Sequence, residues 1–262
     1  MILCAAQISP CWNDPESGLK KMRQYAAEAV EGDAELIAFP EQILTGWDPH
    51  DTSYTTEETG ALVDQMREIA QEVSIGLIGS YREKGEENPL NTCIAIGPDG
   101  RTLAKYSKIH LFSPAGEDLH YSAGRTLGSC TVNSCTIGLA ICYDLRFSQL
   151  FQAYQNKGVL LMIVPSAWPS SRMKHFNLFT TSRAAEFQTF VASVNTVGIT
   201  PVDTYTGGTC IAGPDGTIRA RGSDLEELIF YDIHEEEALS MRKNFPVHQD
   251  YERVDYTELL TR

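Results

Sequence analysis

Thr136-Ile137-Gly138-Leu139-Ala140-Ile141-Cys142-Tyr143-Asp144-Leu145-Arg146-Phe147 reads as a strand running straight into a helix. Residues 136–141 form an apolar run of the kind found in a strand buried on both faces. Asp144 can cap a helix that begins near Leu145 and continues through Phe151 and Tyr154. Cys142 then falls on the bend between strand and helix. A side chain there is lifted out of the carboxyl end of the sheet, and the helix N-terminus favours a thiolate beside it. Such bends are favoured positions for nucleophiles. The competing reading is a small buried hydrophobe, which is what most free cysteines are.

The same alternation extends both ways from this stretch. Residues 2–7 read as a first strand. Residues 15–30 have helical spacing, with Leu19, Met22, Tyr25, Ala26, Ala29 and Val30 on one side. Residues 35–39 form a buried strand that Pro40 ends. A helix opening at Thr56 and Glu57 turns Leu62, Met66, Ile69, Ala70 and Val73 inward. A strand over 75–81 and a loop over 85–89 follow. Residues 92–96 and 102–106 make a hairpin around Gly97-Pro98-Asp99-Gly100. Segment 109–124 is irregular and polar. Beyond the Cys142 stretch come a strand over 159–164, a helix over 172–188, and strands over 190–197 and 228–233. A short helix over 238–242 precedes a charged tail.

Strands and helices alternate through both halves, so the fold class is α/β. Cys210-Ile211-Ala212-Gly213-Pro214-Asp215-Gly216-Thr217 nearly repeats Cys93-Ile94-Ala95-Ile96-Gly97-Pro98-Asp99-Gly100. The two halves are therefore expected to be built alike, each a sheet covered by helices, packed sheet to sheet. No Gly/Ser/Pro linker is long enough to separate domains, and residues 1–262 are read as one domain.

The 262 residues carry a net charge of −14, with 35 acidic against 21 basic side chains. Nucleic acid and anionic membrane surfaces are poor partners for such a chain. The start, Met1-Ile2-Leu3-Cys4-Ala5-Ala6-Gln7, lacks the basic segment of a signal peptide. No apolar run is long enough to span a bilayer. Seven cysteines, an odd number without a Cys-x-x-Cys pair, argue for a reducing cytoplasm. The six histidines show no ligand spacing, so neither a metal site nor a cofactor is expected.

Three ionisable groups stand where strands end: Glu41 after Phe39-Pro40, Lys108 after the hairpin, and Cys142. Each alone has an ordinary reading, since a carboxylate or lysine at a strand end is usually solvated. Together they suggest a mechanism without histidine. An ammonium near the thiol favours the thiolate. A carboxylate within reach takes the thiol proton and returns it to a leaving amine. The same ammonium, with the Tyr143 backbone N–H, forms an oxyanion hole for a tetrahedral intermediate.

These pieces resemble the nitrilase superfamily of carbon–nitrogen hydrolases. The matching segments are Phe39-Pro40-Glu41, Tyr106-Ser107-Lys108-Ile109-His110-Leu111-Phe112 and Cys142-Tyr143-Asp144-Leu145-Arg146-Phe147. The resemblance implies a Glu41–Lys108–Cys142 triad and a supporting glutamate at Glu117, which positions the lysine and the substrate. It also implies a four-layer α-β-β-α sandwich and homodimers packed sandwich to sandwich. Pro165-Ser166-Ala167-Trp168-Pro169-Ser170-Ser171-Arg172, His175, Phe245-Pro246 and Asp250 resemble the omega-amidase branch. Enzymes of that branch hydrolyse the terminal amide of dicarboxylic acid monoamides such as 2-oxoglutaramate. The sequence departs from the pattern at Trp47, Ser148, Phe187 and Gly208-Thr209.

Arg146, Trp168 and Arg172 are the candidate substrate-binding residues. Arginine grips a carboxylate bidentately, and Trp168 and Tyr143 are placed to wall a pocket. Arg146 also has a plain reading as the partner of an acidic neighbour, and Trp168 and Tyr143 as core. His175 has helical spacing with Phe179 and reads as structural; a papain-like Cys142–His175 pair is the sharper alternative. The expectation is a cofactor-free cysteine amidase for a small aliphatic amide. An N-carbamoyl amide hydrolase with the same triad is the alternative enzyme. A non-catalytic metabolite-binding scaffold is the alternative of another class.

Overall fold

The computed structural model describes residues 1–252. In chain order the elements are β1 (Ile2–Gln7), α1 (Pro15–Glu31), β2 (Leu36–Ala38), α2 (Ala61–Val73), β3 (Gly76–Glu83), β4 (Leu90–Ile96), β5 (Thr102–Ser107) and α3 (Glu117–His120). There follow β6 (Gly128–Val132), β7 (Cys135–Leu139), α4 (Ser148–Asn156), β8 (Leu161–Ser166), α5 (Met173–Phe187) and β9 (Phe190–Asn195). The chain continues through β10 (Val197–Ile199), β11 (Thr204–Thr206), β12 (Cys210–Ala212), β13 (Ile218–Arg221), β14 (Glu227–Asp232), α6 (Glu235–Asn244) and α7 (Val247–Glu252). The charged tail beyond Glu252 lies outside the described residues.

Two six-stranded sheets form, in the orders β14-β1-β2-β3-β4-β5 and β6-β7-β8-β9-β12-β13. Both orders run antiparallel, parallel, parallel, antiparallel, antiparallel. The two halves are therefore alike, as the repeated sequence indicated. Each copy of Gly-Pro-Asp-Gly turns a hairpin at the same place in its sheet, closed by 2.8 Å bonds from Gly100 to Gly97 and from Gly216 to Gly213. Gly100 and Gly216 sit at φ +77° and +79°, where glycine carries no steric penalty.

The period-two alternation of β1 sorts its residues between layers. Leu3 and Ala5 face the core shared with Ile137, Leu139, Leu161 and Ile163 of the second sheet. Cys4 and Ala6 face Leu19, Met22 and Ala26 of α1 and Val63, Met66 and Ile69 of α2. Phe151 and Tyr154 of α4 and Phe176, Ala184 and Phe187 of α5 join the core from the second sheet's side. The result is an α-β-β-α sandwich.

Three local expectations need correction. Asp144 does not open a long helix at Leu145. Residues Cys142–Arg146 form a 3-10 turn, and α4 starts at Ser148. The helix expected from Thr56 starts at Ala61, because the Thr56 backbone instead pairs with Arg82 and Lys84 at 3.0 and 2.9 Å. Segment 109–124 contains the single turn α3, and β6, which the sequence reading passed over, completes the second sheet's edge.

Candidate active site

The cleft lies beyond the carboxyl ends of parallel strands, where side chains leave the sheets. The Phe39 N–H still reaches Ile78 O at 2.9 Å, continuing the β2–β3 ladder. Pro40 has no N–H to continue it, and Glu41 is the next residue, 2% exposed. Lys108 follows β5. Its N–H donates to Asn91 O at 2.8 Å, and its carbonyl accepts from the Gly124 N–H at 2.9 Å. Cys142 follows β7 at φ +45°. That left-handed conformation is unfavourable for a residue with a side chain and persists only when surroundings impose it.

Asp144 is what imposes it. Its buried carboxylate accepts from the Ile141 N–H at 2.9 Å, the Tyr106 hydroxyl at 2.7 Å and the His110 N–H at 3.1 Å. The His110 Nδ1 lies 2.8 Å away, and the His110 ring stacks on Phe147 at 3.7 Å. Asp144 thus closes the 3-10 turn from behind and ties the Cys142 segment to the Lys108 segment.

Glu41, Lys108 and Glu117 form a buried charge cluster. Lys108 Nζ donates to Glu41 Oε1 at 2.9 Å and to Glu117 Oε1 and Oε2 at 3.1 and 2.9 Å. Glu117 also accepts from the Phe112 N–H at 2.6 Å and Trp47 Nε1 at 3.2 Å. Glu41 Oε2 accepts from the Ala167 N–H at 3.0 Å, just beyond β8. Cys142 lines the cleft beside this cluster, near enough for the Glu41 and Lys108 charges to act on its thiol.

The two carboxylates sit differently. Burial pushes Glu41 above the usual carboxylate range, and Lys108 offsets this only in part. Burial acts on Glu117 as well, but Lys108, the Phe112 N–H and Asn91 outweigh it and hold that group below the usual range. Lys108 loses some affinity for its proton to burial, yet Glu117, Glu41 and Cys142 more than restore it, so it stays an ammonium.

Cys142 differs from the expectation of a stabilised thiolate. Burial, then the Glu41 charge, push its thiol well above the usual range, with Lys108 opposing. One ammonium shared by two carboxylates is too little to reverse the effect. The resting site holds Cys142 as a thiol.

Arg146, Trp168, Arg172 and Tyr143 all line the cleft, together with Trp47, Lys108, Phe112, Ala167, Pro169, Asp203 and Tyr205. The Arg146 guanidinium lies 4.9 Å from the Trp168 ring and 5.6 Å from that of Tyr143. The acidic neighbour considered for it does not appear: among the described residues Arg146 makes no ion pair, and its Nε is buried without a hydrogen-bond partner. Arg172 lies over Phe112 at 5.1 Å. His175 contacts Arg146 at 3.4 Å and is not part of the lining.

Of the departures noted in the sequence, Trp47 reaches the cleft. Ser148 starts α4, Phe187 packs on Phe151 at 6.4 Å, and Thr209 bonds to Asn195 and Gln7. The sequence reading did not single out Asn91, Phe112, Asp203 or Tyr205 as site residues. Asp203 and Tyr205 come from the β10–β11 ribbon, which neither main sheet includes. The one signal for Asn91 was a polar residue leading the apolar strand 92–96.

Residues 3–243 match the family model of the carbon–nitrogen hydrolases. The 2-oxoglutaramate amidase of Bacillus subtilis is 26% identical over 95% of this chain and 97% of its own. An omega-amidase of Pongo abelii is 31% identical over 94% of this chain and 92% of its own. Among solved structures, a carbon–nitrogen hydrolase superfamily protein from Xanthomonas campestris, with an arsenic adduct in its active site, superposes with a TM-score of 0.87. It is 25% identical, over 95% of this chain and 96% of that one. The chain belongs to the carbon–nitrogen hydrolase family and is a C–N hydrolase acting on amides.

Proposed function

We propose that this cysteine amidase cleaves the terminal amide of a small dicarboxylic acid monoamide, with Cys142 as nucleophile, Glu41 as base and Lys108 as oxyanion donor. The observation that carries the reading is the Glu41 carboxylate held between the Lys108 ammonium at 2.9 Å and the Ala167 N–H at 3.0 Å, beside the cleft that Cys142 and Lys108 line together. As the sulfur attacks the amide carbonyl, its proton passes to Glu41. The carbonyl oxygen becomes an oxyanion, held by Lys108 and by the Tyr143 N–H, which opens a 3-10 turn where no preceding carbonyl claims it. Collapse of the intermediate breaks the C–N bond. Glu41 gives its proton to the nitrogen, ammonia leaves, and a thioester remains on Cys142. Water then loses a proton to Glu41 and attacks the thioester, and the sulfur recovers that proton as the acid departs. Glu117, ionised throughout, balances Lys108 and fixes its direction.

Arg146 and Arg172 support a substrate with a second carboxylate. They are cationic groups without ion pairs among the described residues, at the mouth of a cleft in a chain of net charge −14. The names of the relatives, 2-oxoglutaramate amidase and omega-amidase, agree with such a substrate. We further propose a homodimer working in a reducing cytoplasm; seven free cysteines support the compartment.

Ammonia release over a panel of amides tests the substrate. 2-Oxoglutaramate and related monoamides are expected to turn over faster than neutral aliphatic amides or ureido acids. Arg172→Met and Arg146→Met should each lower kcat/KM for the acidic amides by about 10- to 10²-fold, the value of a charge-assisted hydrogen bond. A neutral amide should feel little. Equal losses on both classes, or preference for ureido acids, would overturn this substrate assignment.

A further inference from the structure

Asn91 bonds to both carboxylates of the cluster and to the backbone of Lys108. It lies at the start of β4, wholly buried. Its Nδ2 donates to Glu41 Oε1 at 2.7 Å and to Glu117 Oε1 at 3.1 Å. Its backbone carbonyl accepts from the Lys108 N–H at 2.8 Å. Among the described residues its Oδ1 is buried without a partner. Turning the amide over would set that oxygen against two carboxylate oxygens, so the charges on either side dictate its orientation.

The bonds around the cluster show why this amide matters to one carboxylate more than the other. Among the described residues the hydrogen bonds of the Lys108 ammonium go to Glu41 Oε1 and the two oxygens of Glu117. Glu117 has Trp47 and the Phe112 N–H besides. Glu41 has Asn91 and the Ala167 N–H. Two carboxylates share one ammonium in a buried space, and the Asn91 amide is the neutral donor between them.

We propose that Asn91 is a positioning residue of the reaction: by bridging Glu41 and Glu117 it holds the Glu41 carboxylate toward the Cys142 sulfur and screens it from the second carboxylate. This rests on the reading of Glu41 as the base. The charged and titratable groups facing Glu41 are Lys108 after β5, Glu117 on α3, Cys142 after β7 and Tyr205 on β11. Asn91 favours the ionised form of Glu41. Its loss leaves a base that is harder to ionise and less firmly held, with Lys108 and the Ala167 N–H as its remaining donors among the described residues.

The test is the pH dependence of kcat/KM, measured with thermal melting, for Asn91→Ala and the isosteric Asn91→Asp, beside Glu41→Gln. The acid limb should move to higher pH by about a unit in both Asn91 variants. Their kcat at neutral pH should fall by ~10²-fold with KM little changed, as for a misplaced reacting group. An acid limb that stays in place, a loss confined to KM, or a failure of both variants to fold would overturn the proposal, the last by making Asn91 a structural residue. Wild-type turnover in Glu41→Gln would instead overturn the base assignment itself.

Discussion

Glu41 and Glu117 are both glutamates, both buried and both bonded to Lys108, yet they suit opposite tasks. Glu117 collects enough donors to remain charged. Glu41 sits above the usual carboxylate range because burial exceeds what its donors return. Environments that push two carboxyls apart in this way separate a titrating base from a fixed counter-charge. Glu41→Gln should therefore lower turnover by about 10²- to 10⁴-fold while the fold persists. The sign for stability follows from linkage. A carboxyl whose folded value lies above its unfolded value stabilises most at low pH, and that contribution is lost as pH rises through the folded value. At neutral pH Glu41→Gln should melt no lower than wild type, because it leaves Lys108 and Glu117 as a balanced pair. Thermal melts at neutral pH check this; a marked drop would mean that the Glu41 charge supports the fold. Glu41, Lys108 and Cys142 were legible in the sequence because each follows a strand pattern and lies in a family-like segment. Asn91 was not, because a buried asparagine announces itself only through its neighbours in space.

Elements were legible where pattern and punctuation agreed. Pro40 ends β2, and both Gly-Pro-Asp-Gly turns make their hairpins. They were misread where a side chain has two possible partners. Asp144 looked like a helix cap, but its carboxylate bonds backward to Ile141 and across to Tyr106 and His110. β6 escaped notice because this edge strand pairs on one side with β7 and carries the polar Ser129 and Thr131. The last strand, β14, pairs with the first, β1, and Glu226 latches the two ends. It binds Lys21 of α1 and Ser9 just after β1, and these contacts bring it down to about 2 despite the opposing effect of burial. A depressed carboxyl contributes stability above its unfolded value and loses it as pH falls through the folded one. Glu226→Gln should lower the melting temperature at neutral pH by about 1–4 °C, as expected for a partly exposed ion pair. The difference should close as pH drops from the ordinary carboxylate range toward about 2. A difference that persists or widens in acid would show that the latch is not electrostatic.

At the scale of the molecule, the cleft exists only because the sheets pack. Glu41 and Lys108 come from the end of the first sheet; Cys142 and Ala167 come from the second. Two halves with matching strand order put their carboxyl ends together and bring an acid, an ammonium and a thiol into one buried space. The near-repeat of the hairpins made the paired halves readable. The ribbon β10–β11, which brings Asp203 and Tyr205 to the cleft, has no counterpart in that repeat, and the sequence reading stopped at Val197, where the ribbon begins. Family membership covers most of the chain, and the order of bond making within the cleft is what most needs testing. Intact-mass analysis of wild-type enzyme quenched during turnover of a good amide does so directly. Expected is an acyl adduct on Cys142, equal in mass to the substrate less ammonia, with Cys142→Ala inactive. Absence of the adduct, together with full activity in Cys142→Ala, would contradict nucleophilic attack by this sulfur.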